Sequence, residues 1–598
     1  MQIAHIFNEV KPKTNDIVID TQPFEIAYFE NYTYSDYEDN SLDNDFSKKY
    51  YHALAPIEDK SVISKYDDEK LKALTDKLGD DLLLISGDFW GIQKFIFDGI
   101  TTSKASKILR SRSAMVELIT YAVVDRIKKL FDGSDTLLFG AGKFMILAKY
   151  EDSDKIKDIQ TELDSYFLKN FFGQNGFILS SAVTSKDKLL NQQDMESDLL
   201  ALGADNDDKK LNKFDLLNVE DDDILIDLFA EAKKDDDICK FCNKRIETHR
   251  IDNDFACEIC DNQIRLGKDL TTNRYISIFS TIEKKPKEYI EIIKLDNEYY
   301  YAKFSDKCDD LEGNIFDISA EPYFDYPKWS LKSYVPKDEL DDIKTFDEYV
   351  KKGAKVVSSG LMALKADIDK LGDTFRDFYK EDFRKFNRLS REVEFFFSDY
   401  ITSLVDKKKN IYTVFAGGDD LFLIGEYKEI VLIAKKIRKE FLRFSLGKTT
   451  ISMGLVMFKP TTPITFISKM ADEAEKRAKK ERDSIDIFGV AMKYDEFMEI
   501  ERDFGDVVKY LKNNAVETTS FYYRLIELCD MYININKDIR NALWKSKLNY
   551  IIRRNIIRRN NDSEIFTKIS ELIEKGEKFK PSLFLQIYQN RDEKKENK

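Results

Sequence analysis

The sequence predicts an α+β multidomain chain built on two copies of a βαββαβ unit, with a cysteine-bearing insert between them and a helical C-terminal part. Three observations predict this. The order of elements that starts at Asp81 returns in the second half of the chain. Strand end and hairpin turn are almost equally spaced in the two copies, 54 residues from Asp88 to Gly142 and 52 from Asp367 to Asp419. Four of the six cysteines fall in two CxxC pairs between the copies.

In order along the chain, residues 1–80 are a mixed lead-in, Tyr- and Asp-rich from Tyr32 to Asp45. Residues 81–186 form the first unit: the apolar run Leu82 to Ser86 ends at Gly87 and Asp88 and is followed by a helical pattern from Ala105 to Leu130. Short strands then flank Ala141 and Gly142, followed by a helix near Ile156 to Phe167 and a strand from Gly176 to Val183. Residues 187–347 are a helical, acidic stretch leading into the cysteines and a mixed segment. Residues 348–495 repeat the unit: a strand at Leu361 to Ile368, mostly helix from Glu381 to Val405, and a hairpin around AGGDD. A helix from Lys428 to Phe444, a strand from Thr450 to Met457, a helix opened by Pro463 and a short strand at Ser484 to Phe488 complete it. Residues 496–598 are helical, with a charged end.

Composition excludes several classes. The 598 residues exceed one compact core and are 42% hydrophobic with 23 Gly and 10 Pro, so fibrous and wholly disordered chains are out. Lys and Arg number 95 against 110 Asp and Glu, a net charge of −15, which argues against coating nucleic acid by charge alone but leaves room for a local basic face. No run approaches the ~18 apolar residues of a membrane helix, and the start MQIAHIFNEVKPK lacks a secretory pattern, so a cytoplasmic location without membrane contact is expected.

The chemistry concentrates at two places. ADID (Ala366 to Asp369) ends one strand and GGDD (Gly417 to Asp420) turns its predicted neighbour; adjacent strands would bring Asp367, Asp419 and Asp420 to one sheet edge, a hard-oxygen set suited to two Mg²⁺ or Mn²⁺ ions. Gly417 and Gly418 would let backbone approach a triphosphate and supply positive φ. A GG or DD pair alone is commonly just a turn; the second acidic strand end and the following basic helix set this one apart. In the first copy GAGK (Gly140 to Lys143) stands where the second has GGDD, leaving only Asp88, so that copy is expected to be catalytically silent while able to hold a second nucleotide. Phe144 after Lys143 and Leu137 in place of a first glycine exclude a phosphate loop. Cys239, Cys242, Cys257 and Cys260, with 14 residues between the pairs, predict a structural Zn²⁺ site; His249 lies inside that loop and is expected in solvent.

ADIDKLG, LSREVEFFF, VFAGGDDLFLIG, ISMGL and AEKRAKK resemble the second palm domain of the large subunit of type III CRISPR effector complexes, and SGDFWGIQKFIF with ILRSRSAMVELI resembles the first. The resemblance spans residues 81–598 and fits the Csm-type, subtype III-A branch. It implies ferredoxin-like, GGDEF- and cyclase-like palms and synthesis of cyclic oligoadenylates from ATP when target RNA is bound. It further implies partnership with crRNA, target RNA and the small and backbone subunits, above all the subunit that binds the crRNA 5′ tag. Carried over, Asp367 and Asp419 are the principal metal ligands, Asp420 is a second ligand or orienting carboxylate, and Asp369 is less defined. Ser390, Lys476, Lys479 and Lys480 become candidate nucleotide contacts, each lysine weighed against a solvated helix face. Many relatives begin with an HD nuclease domain; His5, His52 and His249 are the sole histidines and no His-Asp pair occurs, so no DNase is expected from this chain. The basic stretch Lys537 to Asn560, with Trp544 and Tyr550, reads as an RNA- or partner-facing surface or as a solvated bundle face. A stand-alone GGDEF-like cyclase and an idle scaffold are the competing readings.

Overall fold

The computed structural model describes residues 65–100, 104–150, 154–191, 195–217, 238–251, 254–319, 326, 329, 331, 335–336, 344–352, 355–356, 358–406, 410–445, 447–514, 516–555 and 563–596. The lead-in before residue 65, His5 and His52 lie outside these.

Helix α1 (Lys65–Leu78) leads into the first unit: β1 (Asp81–Trp90), α2 (Ile92–Phe97), α3 (Ala105–Leu130), the hairpin β2 (Asp135–Gly140) and β3 (Lys143–Lys149), α4 (Lys155–Phe171) and β4 (Gly176–Ser185). Its strands lie in the order β2-β3-β1-β4, each neighbour antiparallel, because the two helical crossovers return the chain to either side of β1. Helices α5 (Lys186–Asn191) and α6 (Met195–Leu211) follow.

The insert opens with the ribbon β5 (His249–Ile251) and β6 (Asp254–Ala256) and helix α7 (Glu258–Thr272), then builds a sheet of its own from β7 (Tyr275–Thr281), β8 (Ile290–Leu295), β9 (Glu298–Ser305) and β10 (Asn314–Asp317). The sequence pattern missed this sheet. Its strands are short and broken by the lysine-rich turn before Tyr289, and Tyr299, Tyr300 and Tyr301 in succession hide the alternation that marks a half-buried strand.

After the two-residue strands β11 (Lys351–Lys352) and β12 (Lys355–Val356), the second unit runs β13 (Leu361–Ile368), α8 (Leu371–Glu381), α9 (Phe383–Phe395), α10 (Ile401–Asp406), β14 (Ile411–Gly417), β15 (Asp420–Glu426), α11 (Tyr427–Phe444), β16 (Ile451–Phe458), α12 (Ile464–Glu481), β17 (Ser484–Ile487) and β18 (Val490–Lys493). Its six strands lie in the order β14-β15-β13-β16-β17-β18, so the first four repeat the first unit and β17 and β18 extend it. Strand β13 is buried almost throughout, from Leu361 to Ile368, as a central strand should be. Helices α13 (Tyr494–Asn513), α14 (Thr519–Ile533), α15 (Trp544–Asn555), α16 (Ser563–Glu574) and α17 (Lys580–Glu596) close the chain. Asp592 on α17 is fully buried and accepts from the Tyr427 hydroxyl at 2.9 Å, tying the helical part to the second sheet.

Candidate active site

Strand register builds the acidic edge. Asp367, at the end of β13, pairs directly with Asp420, the first residue of β15, and Asp420 pairs in turn with Gly417 across the hairpin. Asp419 sits exposed at the tip. The three predicted aspartates therefore do meet at one edge. Burial, then the Asp419 charge, push the Asp367 carboxyl up to about 7, and the same two causes push Asp420 to about 6. Negative charge is thus concentrated where a cation would relieve it.

Two lysines and a glutamate complete the edge. Lys479 on α12 pairs with Asp367 and lies 3.5 Å from Glu475, one turn earlier. Burial opposes the Lys479 charge, but the Asp367 carboxylate outweighs it and raises its pKa. Lys365, two residues before Asp367 and buried in β13, pairs with Asp472 and stands 3.8 Å from Glu475. Helix α12 comes this close because residue 454 is glycine: a Cβ there would lie 2.3 Å from the Glu475 amide nitrogen. The carboxylates do not close into a single-ion cage; among the described residues the four-cysteine set alone does so.

Asp369 has a different task. Buried to 4% exposure, its carboxylate accepts from Thr450 Oγ1 at 2.6 Å, Ser452 Oγ at 2.8 Å and the Asp483 amide at 2.8 Å. A carboxylate so satisfied latches β13 to β16 and to the turn after α12; it is not directed at a ligand. Lys476 and Lys480 are exposed on α12, so of the predicted lysines only Lys479 reaches the aspartates. Ser390 is half-buried on α9.

The hairpin glycines divide. Gly418 has φ of 62°, as expected of a tight turn, but Gly417 is an ordinary strand residue with open space where its Cβ would be; the expectation of positive φ at both is corrected. The turn of the first unit faces this one. A Cβ on Gly418 would lie 2.7 Å from that of Ala141, and one on Gly140 would lie 2.7 Å from the Glu394 carboxylate on α9. The two hairpin tips therefore bound one seam. Lys143 begins strand β3 rather than a helix, so the exclusion of a phosphate loop holds. Asp88, the remaining acidic group of the first unit, pairs with Lys210 of α6 at 2.5 Å.

The second cluster is Cys239, Cys242, Cys257 and Cys260, all buried, with one sulfur from each within 4.8 Å of all the others. Cys242 and Cys257 are 4.0 Å apart, against about 3.8 Å for two thiolates on one tetrahedral zinc. Cys257 caps α7, its sulfur accepting from the Cys260 amide at 3.5 Å. His249 is half-buried in β5, its Nδ1 2.7 Å from Thr248 Oγ1, and stands outside the sulfur set; the expectation of full solvation is corrected.

In the basic stretch, Ile539, Leu543 and Tyr550 are exposed while Trp544 is buried; residues 556–560 lie outside the described ones. Among the described residues no helix is long and apolar enough to cross a membrane.

Comparison with known proteins finds relatives for most of the chain. Residues 361–486 match the family model for the Cas10/Cmr2 second palm domain, and residues 81–230 match that for Csm1 subunit domain B. The subtype III-A CRISPR single-strand-specific deoxyribonuclease Cas10/Csm1 of Enterococcus italicus is 27% identical over 492 residues, covering 78% of this chain and 62% of that protein. Its Streptococcus thermophilus counterpart is 25% identical over 576 residues, covering 90% and 69%. The chain thus spans about three-fifths to two-thirds of the length of these relatives. Among solved structures, a Csm1-Csm4 cassette in complex with pppApA superposes with a TM-score of 0.68 at 17% identity, covering 98% of this chain and 85% of that one. A cassette in complex with one ATP gives 0.67 at 19% identity, covering 90% and 76%.

Proposed function

Starting from homology to the subtype III-A Cas10/Csm1 proteins, we propose that this chain is the RNA-activated cyclic oligoadenylate synthase subunit of a type III-A CRISPR ribonucleoprotein. One observation carries the reading: Asp367 and Asp420 pair across neighbouring strands with Asp419 at the tip between them, under a helix that brings Lys479 and Glu475 to the same edge.

In this reading residues 81–186 are a degenerate ferredoxin-like palm, 187–347 a zinc-binding linker, 348–495 the active palm and 496–598 a helical domain. Asp367, Asp419 and Asp420 hold Mg²⁺ or Mn²⁺; bound divalent cations supply charge neutralisation at the attacking hydroxyl and the leaving pyrophosphate. The 3′ hydroxyl of one ATP attacks the α phosphorus of another, the bond to pyrophosphate breaks, and repetition ends when the 5′ and 3′ ends join. Gly417 leaves the hairpin backbone open to a triphosphate, and Gly418 supplies the positive φ of the turn. Lys479, released from Asp367, meets its charge, and Ser390 and the exposed Lys476 are outer nucleotide contacts. In this reading the two nucleotides face each other along the seam that Gly418 and Ala141 bound, one held by each unit, which would position a hydroxyl against a phosphorus. The four cysteines fit zinc as a staple. The partners are crRNA, target RNA and the other Csm-type subunits, Csm4 among them. The deoxyribonuclease activity in the relatives' name is not assigned to these 598 residues, whose sequence has no His-Asp pair.

The test incubates the chain, assembled with guide RNA, partner subunits and complementary target RNA, with labelled ATP and Mg²⁺ or Mn²⁺, and resolves products by mass spectrometry. Target-dependent cyclic adenylates that vanish in Asp419→Ala/Asp420→Ala support the reading. An assembled complex that binds target yet makes no product sinks it and leaves a scaffold.

A further inference from the structure

The zinc-type cluster and the aspartate edge are joined by two buried arginines. Helix α7, which Cys257 caps and which carries Cys260 in its first turn, meets α3 at Gly267. A Cβ at Gly267 would lie 2.1 Å from the Lys107 carbonyl oxygen, so the helices touch backbone to backbone there. Arg110 of α3, 1% exposed, donates to the Gly267 carbonyl, and its guanidinium lies 5.7 Å from the centre of the Tyr412 ring on β14. The Tyr412 hydroxyl donates back to the Ser106 carbonyl at 2.7 Å.

Arg112, two residues further along α3, donates to Gln263 Oε1 of α7 at 3.1 Å and to the carbonyls of Phe95 and Asp98, at 3.1 and 2.7 Å, at the end of α2. That end presents Phe97, whose ring packs 4.8 Å from Phe422 and 6.1 Å from Phe415, one on each strand of the GGDD hairpin. The Phe97 carbonyl also accepts from Thr465 Oγ1 of α12, the helix of Lys479. Arg110 forms no ion pair among the described residues and its Nε and Nη2 have no hydrogen-bond partner, whereas burial opposes the Arg112 charge and the nearby Cys260, Cys242 and Asp98 favour it. Burying a guanidinium this way is unfavourable, so a packing role alone would be served better by an apolar side chain.

We propose that the cysteine module is a positioning element for the aspartate edge: helix α7, fixed by the four thiolates, acts through Arg110 and Arg112 on Tyr412 and Phe97 to set the Gly417–Asp420 hairpin. Arg110 and Arg112 are positioning residues and touch no substrate. The inference rests on the reading of Asp367, Asp419 and Asp420 as a divalent-cation site.

The experiment uses the full zinc-loaded chain without nucleotide and reads Mn²⁺ affinity by electron paramagnetic resonance together with hydrogen exchange across residues 411–426. Gly267→Ala wedges α7 off α3 while leaving every cysteine and aspartate in place; Arg112→Lys keeps the charge but loses the fork. With zinc content and cooperative melting retained, Mn²⁺ binding is expected to weaken about tenfold, the scale seen when groups behind metal ligands are removed, and exchange in the hairpin to quicken. Wild-type affinity and exchange in both variants overturn the inference and leave the aspartate reading standing. Loss of affinity only together with loss of the fold in both also overturns it. Absence of Mn²⁺ binding in the unsubstituted chain overturns the aspartate reading itself, and shows before any variant is made.

Discussion

Gly418 in the second hairpin faces Ala141 in the first so closely that a side chain on Gly418 would stand 2.7 Å from the alanine methyl. Two copies of one unit therefore meet tip to tip, and the seam tolerates no extra carbon at Gly418.

Gly418→Ala is expected to abolish target-dependent adenylate synthesis. The added carbon meets Ala141, and φ of 62° at a non-glycine residue costs about 1–2 kcal/mol. Adding Ala141→Gly removes the clash but not the backbone strain, so partial recovery of product, read by chromatography, distinguishes seam geometry from strain.

Asp367 yields a pH prediction. Its folded-state carboxyl lies near 7 against an ordinary value near 3.8, so the folded chain keeps a proton that the unfolded chain releases. Stability is greatest below the ordinary value, falls as pH rises toward 7 and then levels. Asp367→Asn removes that fall. Without divalent cations its unfolding free energy should exceed that of the unsubstituted chain by a margin that widens from pH 4 to pH 7, about 1–3 kcal/mol at the upper end. Mg²⁺ should stabilise only the unsubstituted chain. An equal margin at all pH values contradicts the assignment.

Asp369→Asn separates latch from ligand. Exchanging a carboxylate with three donors for an amide should lower stability by about 1–3 kcal/mol while Mn²⁺ affinity per folded molecule stays unchanged. Loss of Mn²⁺ binding in a folded variant would place Asp369 among the ligands after all.

Cys257→Ser removes a sulfur while keeping a side-chain oxygen able to cap α7, so it tests the thiolate alone. Elemental analysis should find one zinc per unsubstituted chain and less than one in the variant, with proteolysis beginning in the 238–272 region.

The legible part of this molecule was local. GGDD after an apolar strand, ADID at the end of another and the paired CxxC motifs each declare themselves within a few residues, because turn geometry and ligand spacing are short-range demands. Glu475 and Lys365 escaped because their place depends on how α12 lies over β13 and β16. Two signals could have found them: the lone lysine in LMALKADI, a strand whose other charged residue is Asp367, and Gly454 in the middle of a strand, where only a close approach justifies a missing side chain. Phe97, Glu394 and the Asp88–Lys210 pair were illegible for the same reason, since nothing near them in sequence names their partners.

The seam also has a kinetic meaning. Residues 141 and 418, and 140 and 394, touch across more than two hundred and fifty residues of chain, with a whole metal-type module folded between them. Closing so long a loop is entropically slow and is favoured only once both sheets already exist. A chain emerging from synthesis completes its N-terminal sheet first and cannot form the contact until β15 has paired with β13. The same long-range closure makes the seam a natural reporter of complete folding: a nascent or partly unfolded molecule lacks the juxtaposition of the two hairpin tips.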